Sequence, residues 1–90
     1  MNWLDLQQHA NELAYAARMA STACEILASA IEWHRERPTL QTANAVDAAA
    51  SRLGDALAAL DRARTTYTET ETNVLGVSAL LAPTPEGSAR

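Results

Sequence analysis

Tyr67 and Glu71 are the residues in this sequence whose types and spacing suggest recognition chemistry. They stand one helical turn apart in Tyr67-Thr68-Glu69-Thr70-Glu71. On a helix the phenol and the carboxylate therefore emerge on the same side. An aromatic edge beside a fixed negative charge is something a receptor can read. It is not a catalytic device. The other reactive groups are scattered. His9 and His34 fall near opposite ends of one segment, with no ligand at a recognised metal spacing. No metal site is expected, and both read as surface histidines. Cys24 lies on an apolar periodicity and reads as a small buried hydrophobe, because a catalytic thiol needs a base and partial exposure. No glycine-rich phosphate loop, nucleophile elbow or metalloprotease motif is present. The sequence reads as a non-enzyme with no cofactor.

The element that positions the pair is a long periodic stretch. Val46, Ala50, Leu53, Leu57, Leu60, Arg64, Tyr67 and Glu71 recur at alternating steps of four and three, the spacing of a coiled-coil-like seam. Upstream, Trp3, Leu6, Ala10, Leu13, Ala17, Ala20, Cys24, Leu27 and Ile31 follow the same rhythm. No Gly or Pro interrupts the first segment before Pro38, and good helix formers dominate it. The pattern predicts helix 1 over about 3–36 and a turn at about 37–39. Pro38 disfavours helical geometry at the preceding residue. Either Thr39 or Thr42 can cap the next helix. Helix 2 is predicted over about 40–72, ending where Thr65, Thr66, Thr68, Thr70 and Thr72 thin out the helix propensity. Residues 74–90 read as a flexible tail, and 1–73 as the hairpin domain. Gly54, inside helix 2, is either a tolerated weak spot or a point of close helix approach.

Two long helices joined by a short turn must lie antiparallel. The predicted fold is all-α, a helical hairpin with a seam of Leu6, Leu13, Leu27, Ile31, Val46, Leu53, Leu57 and Leu60. In that register Ala20 faces Leu57 and Ala10 faces Tyr67. Leu4, Ile26 and Trp33 fall off the seam, with Ala16, Ala23 and Ala30 beside them. Two helices cannot bury a second stripe, so these residues mark a partner interface and point to pairing into a four-helix bundle. Trp33 can serve that interface or cover the turn.

Composition narrows the partners. The 90 residues allow one domain, and the 48% hydrophobic content is largely alanine, which makes a thin core. The net charge of -4 and pI of about 4.9 argue against nucleic acid and against anionic membrane surfaces. No apolar run is long enough to span a bilayer. Met1-Asn2-Trp3-Leu4-Asp5 lacks the basic and apolar regions of a Sec-type signal peptide.

These residues resemble a family. Hairpin length, acidity and Tyr67-Thr68-Glu69-Thr70-Glu71 resemble the WXG-type helical hairpin substrates of type VII secretion. The nearer resemblance is to relatives that carry only the terminal Tyr-x-x-x-Asp/Glu signal. It covers roughly residues 3–73. It implies export without a Sec signal from a cytoplasmic pool, with Tyr67 and Glu71 as the export motif read by the secretion machinery. It also implies pairing with a second helical hairpin, as a homodimer or as a heterodimer whose partner could be an effector. The family's Trp-x-Gly turn is absent, since Trp33 is followed by His34 and Arg35. The competing reading is a cytoplasmic or phage-encoded adaptor in which Tyr67 only packs the seam.

Overall fold

The structure is a computed structural model that describes residues 3–81, with side-chain burial for residues 3–76. Two helices fill it: α1, Trp3–Glu36, and α2, Leu40–Leu81. They pack side by side as an antiparallel hairpin, and the described residues contain no strand. No helix is long and apolar enough to cross a membrane among the described residues.

The turn is built without glycine and without a left-handed residue. The Arg37 N–H donates to the Trp33 carbonyl at 2.9 Å, closing the last turn of α1 before Pro38. His34 and Arg35 lie in that last turn, where the helix dipole favours cations. Thr39 then caps α2. Its hydroxyl oxygen accepts from the Thr42 N–H at 3.1 Å, and the Thr42 hydroxyl oxygen accepts from the Thr39 N–H at 3.0 Å. This is a capping box with threonine in the place usually held by Glu or Gln. Thr42 is 2% exposed, and its hydroxyl also lies 2.8 Å from the Arg37 carbonyl and 2.7 Å from His34 Nδ1. A hydroxyl has one proton and two lone pairs. With the proton on the Arg37 carbonyl, the lone pairs take the Thr39 N–H and an Nδ1–H of His34. Thr42 thus ties the end of α1 to the start of α2.

α2 runs past the end predicted for it near Thr72 and reaches Leu81. Threonine lowers helix propensity by only tenths of a kcal/mol. The buried Thr70 satisfies its hydroxyl on the Thr66 carbonyl at 2.9 Å. The flexible tail expected from 74 is therefore helix as far as 81, and its remainder, 82–90, lies outside the described residues. At Gly54 an added Cβ would meet nothing within 4 Å, so no helix approaches closely there. Gly54→Ala should raise stability by about 0.4–1 kcal/mol, read from the urea midpoint.

The seam uses two heptad columns on each helix. On α1 they are Leu6, Leu13, Ala20, Leu27 and His34, and His9, Ala16, Ala23 and Ala30, all buried or half-buried. On α2 they are Val46, Leu53, Leu60, Tyr67 and Val74, and Thr42, Ala49, Ala56, Ala63 and Thr70, again all buried or half-buried. Counting in heptads from the His34–Thr42 contact sets Leu27 level with Ala49 and Leu13 level with Ala63. The same count sets Ala23 level with Leu53 and Ala16 level with Leu60. Large faces small at these four levels, which lets two alanine-rich helices approach closely. The alanines Ala16, Ala20, Ala23 and Ala49 are all buried below a tenth of their area.

This corrects one of the two columns of the predicted seam on each helix. Leu6, Leu13, Leu27, Val46, Leu53 and Leu60 lie in it. Ile31 and Leu57 do not, at 42% and 48% exposed. Cys24, Ala17 and Ala50 are exposed as well. Each of these follows a seam alanine by one residue, and the bulkier of them read as the natural second column. The structure instead places the small residue inside, where helix separation is least. His9 and His34, read as surface residues, are half-buried members of the seam.

Candidate functional site

Tyr67 sits in the seam column of α2 and is half-buried. Counting places it level with His9 and not with the expected Ala10. Glu71, one turn on, is half-buried at the edge of the seam. The Tyr67 hydroxyl donates to Glu71 Oε2 at 3.5 Å, the outer limit of a hydrogen bond. The phenol is therefore directed at the carboxylate but held only weakly by it. Thr70, between them in sequence, is 3% exposed and locked to its own helix. The pair stands on a continuous helix that runs ten residues beyond Glu71, so it lies within α2 and not at its end. What this arrangement offers is a positioned aromatic hydroxyl and a negative charge on a stiff scaffold.

On α1, facing the same end of the hairpin, His9 Nδ1 lies 2.8 Å from Glu12 Oε1, and Gln8 donates to Glu12 Oε2 at 3.4 Å. The His9 hydrogen bond, assisted by Gln8, holds the Glu12 carboxyl below the usual carboxylate range. No group of three metal-ligating side chains occurs among the described residues.

The second candidate surface is a column along α1. Ile26 and Trp33 are 44% and 43% exposed, and Met19, one heptad before Ile26, is 46% exposed. Leu4 is 73% exposed but falls one residue off this seven-residue repeat, on the side away from the seam. The alanines expected beside the stripe, Ala16, Ala23 and Ala30, belong to the seam instead. Met19 was not singled out by sequence reasoning, although the repeat Met19, Ile26, Trp33 carries the signal. Arg52 was missed too. Met19, Thr22, Ala23, Ile26, Arg52 and Ala56 line an open groove of about 320 Å³. It opens where alanine meets alanine across the seam, at the level of Ala20 and Ala56, because neither side chain fills the layer. Asp61 and Arg64 pair at 2.8 Å, both well exposed.

No family model, curated protein or solved structure matches this chain.

Proposed function

We propose that this chain is a type VII secretion substrate, or a small helical escort of a larger effector. It acts by pairing with another helical hairpin and by presenting Tyr67 and Glu71 to the export machinery. The observation that carries the reading is the placement of those two side chains next to each other on one rigid helix, with the hydroxyl directed at the carboxylate. The exposed column of Met19, Ile26 and Trp33 supports the pairing half of the reading. Stacking that face on a second hairpin makes a four-helix bundle. The chain would leave the cytoplasm by the type VII route.

The half-burial of Tyr67 favours the competing reading, a cytoplasmic or phage-encoded adaptor in which the ring only packs. Glu71→Gln separates the two. It preserves size and helix propensity, and it removes only a weak 3.5 Å contact inside the chain. The melting curve should stay unchanged. Loss of one charge-assisted contact costs about 1.5–3 kcal/mol, so receptor affinity should fall roughly tenfold or more. Protein in the culture filtrate should fall with it. Tyr67→Ala should also reduce export but lower the melting temperature, since it empties a seam position. Undiminished export of the Gln variant would leave Glu71 a solvated side chain and the adaptor reading in possession.

A further inference from the structure

We infer that the groove between α1 and α2 at the level of Ala20 and Ala56 binds a single-chain aliphatic carboxylate, with the chain over Ala23 and Ala56 and the carboxylate on Arg52. Neither the pairing reading nor the export reading above is needed for it. Where alanine meets alanine, neither side chain spans the layer, and the space opens to one broad face of the hairpin as the groove of about 320 Å³. That volume lies at the lower end of the range of small-molecule sites.

The lining sets the chemistry of the tail. Ala23, buried, and Ala56, half-buried, make an apolar floor. Met19 and Ile26, both exposed, stand two helical turns apart on one wall, which is therefore about 10 Å long. That is the span of an extended octyl chain. The unbranched Met19 side chain adapts to whatever is laid against it. The polar lining residues, Thr22 on α1 and Arg52 on α2, are both exposed and so stand at the rim. Counting from the His34–Thr42 contact sets Arg52 level with Cys24, about 3 Å of helix rise from Thr22.

Charge decides the head group. Arg52 is permanently cationic and makes no hydrogen bond or ion pair among the described residues. Asp55 lies three residues on, the spacing at which Glu32–Arg35 and Asp61–Arg64 do pair. In those pairs the acid comes first in sequence; here the arginine does, and orientation along a helix matters to such pairs. Neither Asp55 nor any other carboxylate among the described residues lines the groove. The guanidinium is thus left free beside an apolar surface, and its fork matches a carboxylate with two parallel N–H donors. The Thr22 hydroxyl, also without a partner among the described residues, can donate a third hydrogen bond. An amine is repelled by Arg52, and an alcohol leaves the fork unused. The net charge of -4 gives no general attraction for anions, so a preference for one has to come from this groove.

The test is a titration of the full chain with octanoate, followed through its backbone amide NMR signals. Saturable shifts should cluster at Thr22, Ala23, Arg52 and Ala56, with a dissociation constant of roughly a millimolar for so small a ligand. Octanol should bind about fivefold more weakly, and octylamine more weakly still. From butanoate to octanoate each added methylene should tighten binding about two- to fourfold, and lengthening beyond the groove should add nothing. Arg52→Gln, at an exposed position, should leave the melting curve unchanged and bring octanoate down to the affinity of octanol. Ala56→Leu should fill the floor and abolish the saturable shifts for octanoate and octanol alike, with circular dichroism checking that the helices are intact. Absence of saturable shifts in the unaltered chain at roughly tenfold the expected constant would overturn the inference. So would octylamine binding as tightly as octanoate, or Arg52→Gln binding octanoate as the unaltered chain does. Affinity that climbs without a plateau through dodecanoate would overturn it as well, being the mark of surfactant adsorption. Export is read separately, from Glu71→Gln, and stands or falls without these results.

Discussion

Ala49→Leu is expected to cost the hairpin about 2–3 kcal/mol, toward the upper end of what overpacking a tight site does. Ala49 is 4% exposed, and heptad counting sets it level with Leu27. The extra methylenes have no free volume to enter, so they must push α2 away from α1. That separation loosens neighbouring layers, because alanine side chains cannot reach across a wider gap. Leu57→Ala is the matched contrast. Leu57 is 48% exposed, so its truncation should cost less than about 1 kcal/mol. A seam built from the bulkier periodic positions would give the opposite ranking, a cavity cost of about 2–4 kcal/mol at Leu57. Thermal and urea unfolding of the two variants decide between the seams. An intact melting temperature for Ala49→Leu would show that the helices are not in close contact at this level.

The same two positions show how far the sequence carries. Helix content, the antiparallel hairpin and the turn at Pro38 were legible, because an uninterrupted apolar rhythm, a proline and a capping threonine all point one way. The start of α2 at Leu40 follows from that chemistry. The choice of second seam column was not legible. Residues at steps of four and three, and of three and four, both satisfy a helical stripe, and hydrophobicity alone favours Leu57 over Ala56 and Ile31 over Ala30. What decides is the separation of the helix axes, a property of the pair and not of either segment. The extent of α2 was misjudged for a related reason. Threonine propensity is a local quantity, and it was overridden at Thr70 by burial and a satisfied hydroxyl.

The candidate site divides in the same manner. The four-residue spacing of Tyr67 and Glu71 follows directly from the sequence, and so does their shared side of the helix. Their place inside a continuing helix does not, because it depends on where α2 stops. The exposed face was half legible. Ile26 and Trp33 stand out by size in a chain poor in aromatics. Met19 and Arg52 acquire meaning only once the seam is fixed, since the groove they border exists because two alanines meet beneath it.

Thr42→Val is expected to cost about 2–3 kcal/mol, although it alters no volume. Valine has the shape of threonine without the hydroxyl. At Thr42 that hydroxyl is the meeting point of the turn, within 2.7–3.0 Å of His34 Nδ1, the Arg37 carbonyl and the Thr39 N–H. Its removal breaks one half of the capping box and leaves three polar groups to find water beside a side chain that is 2% exposed. Thr70→Val supplies the control. Thr70 is also buried, at 3% exposed, but its hydroxyl reaches only the Thr66 carbonyl one turn back. That carbonyl is already part of the helix ladder, so the change should stay within about 0.5 kcal/mol. The two substitutions are chemically identical and equally buried, so the difference between their urea midpoints isolates the turn network from burial. Equal midpoints would show that the hairpin is held by its seam alone and that the His34–Thr42–Thr39 contacts add nothing to stability. A large gap, with Thr42→Ser recovering most of it, would locate the fastening of the hairpin at the one point where both helices share a hydroxyl.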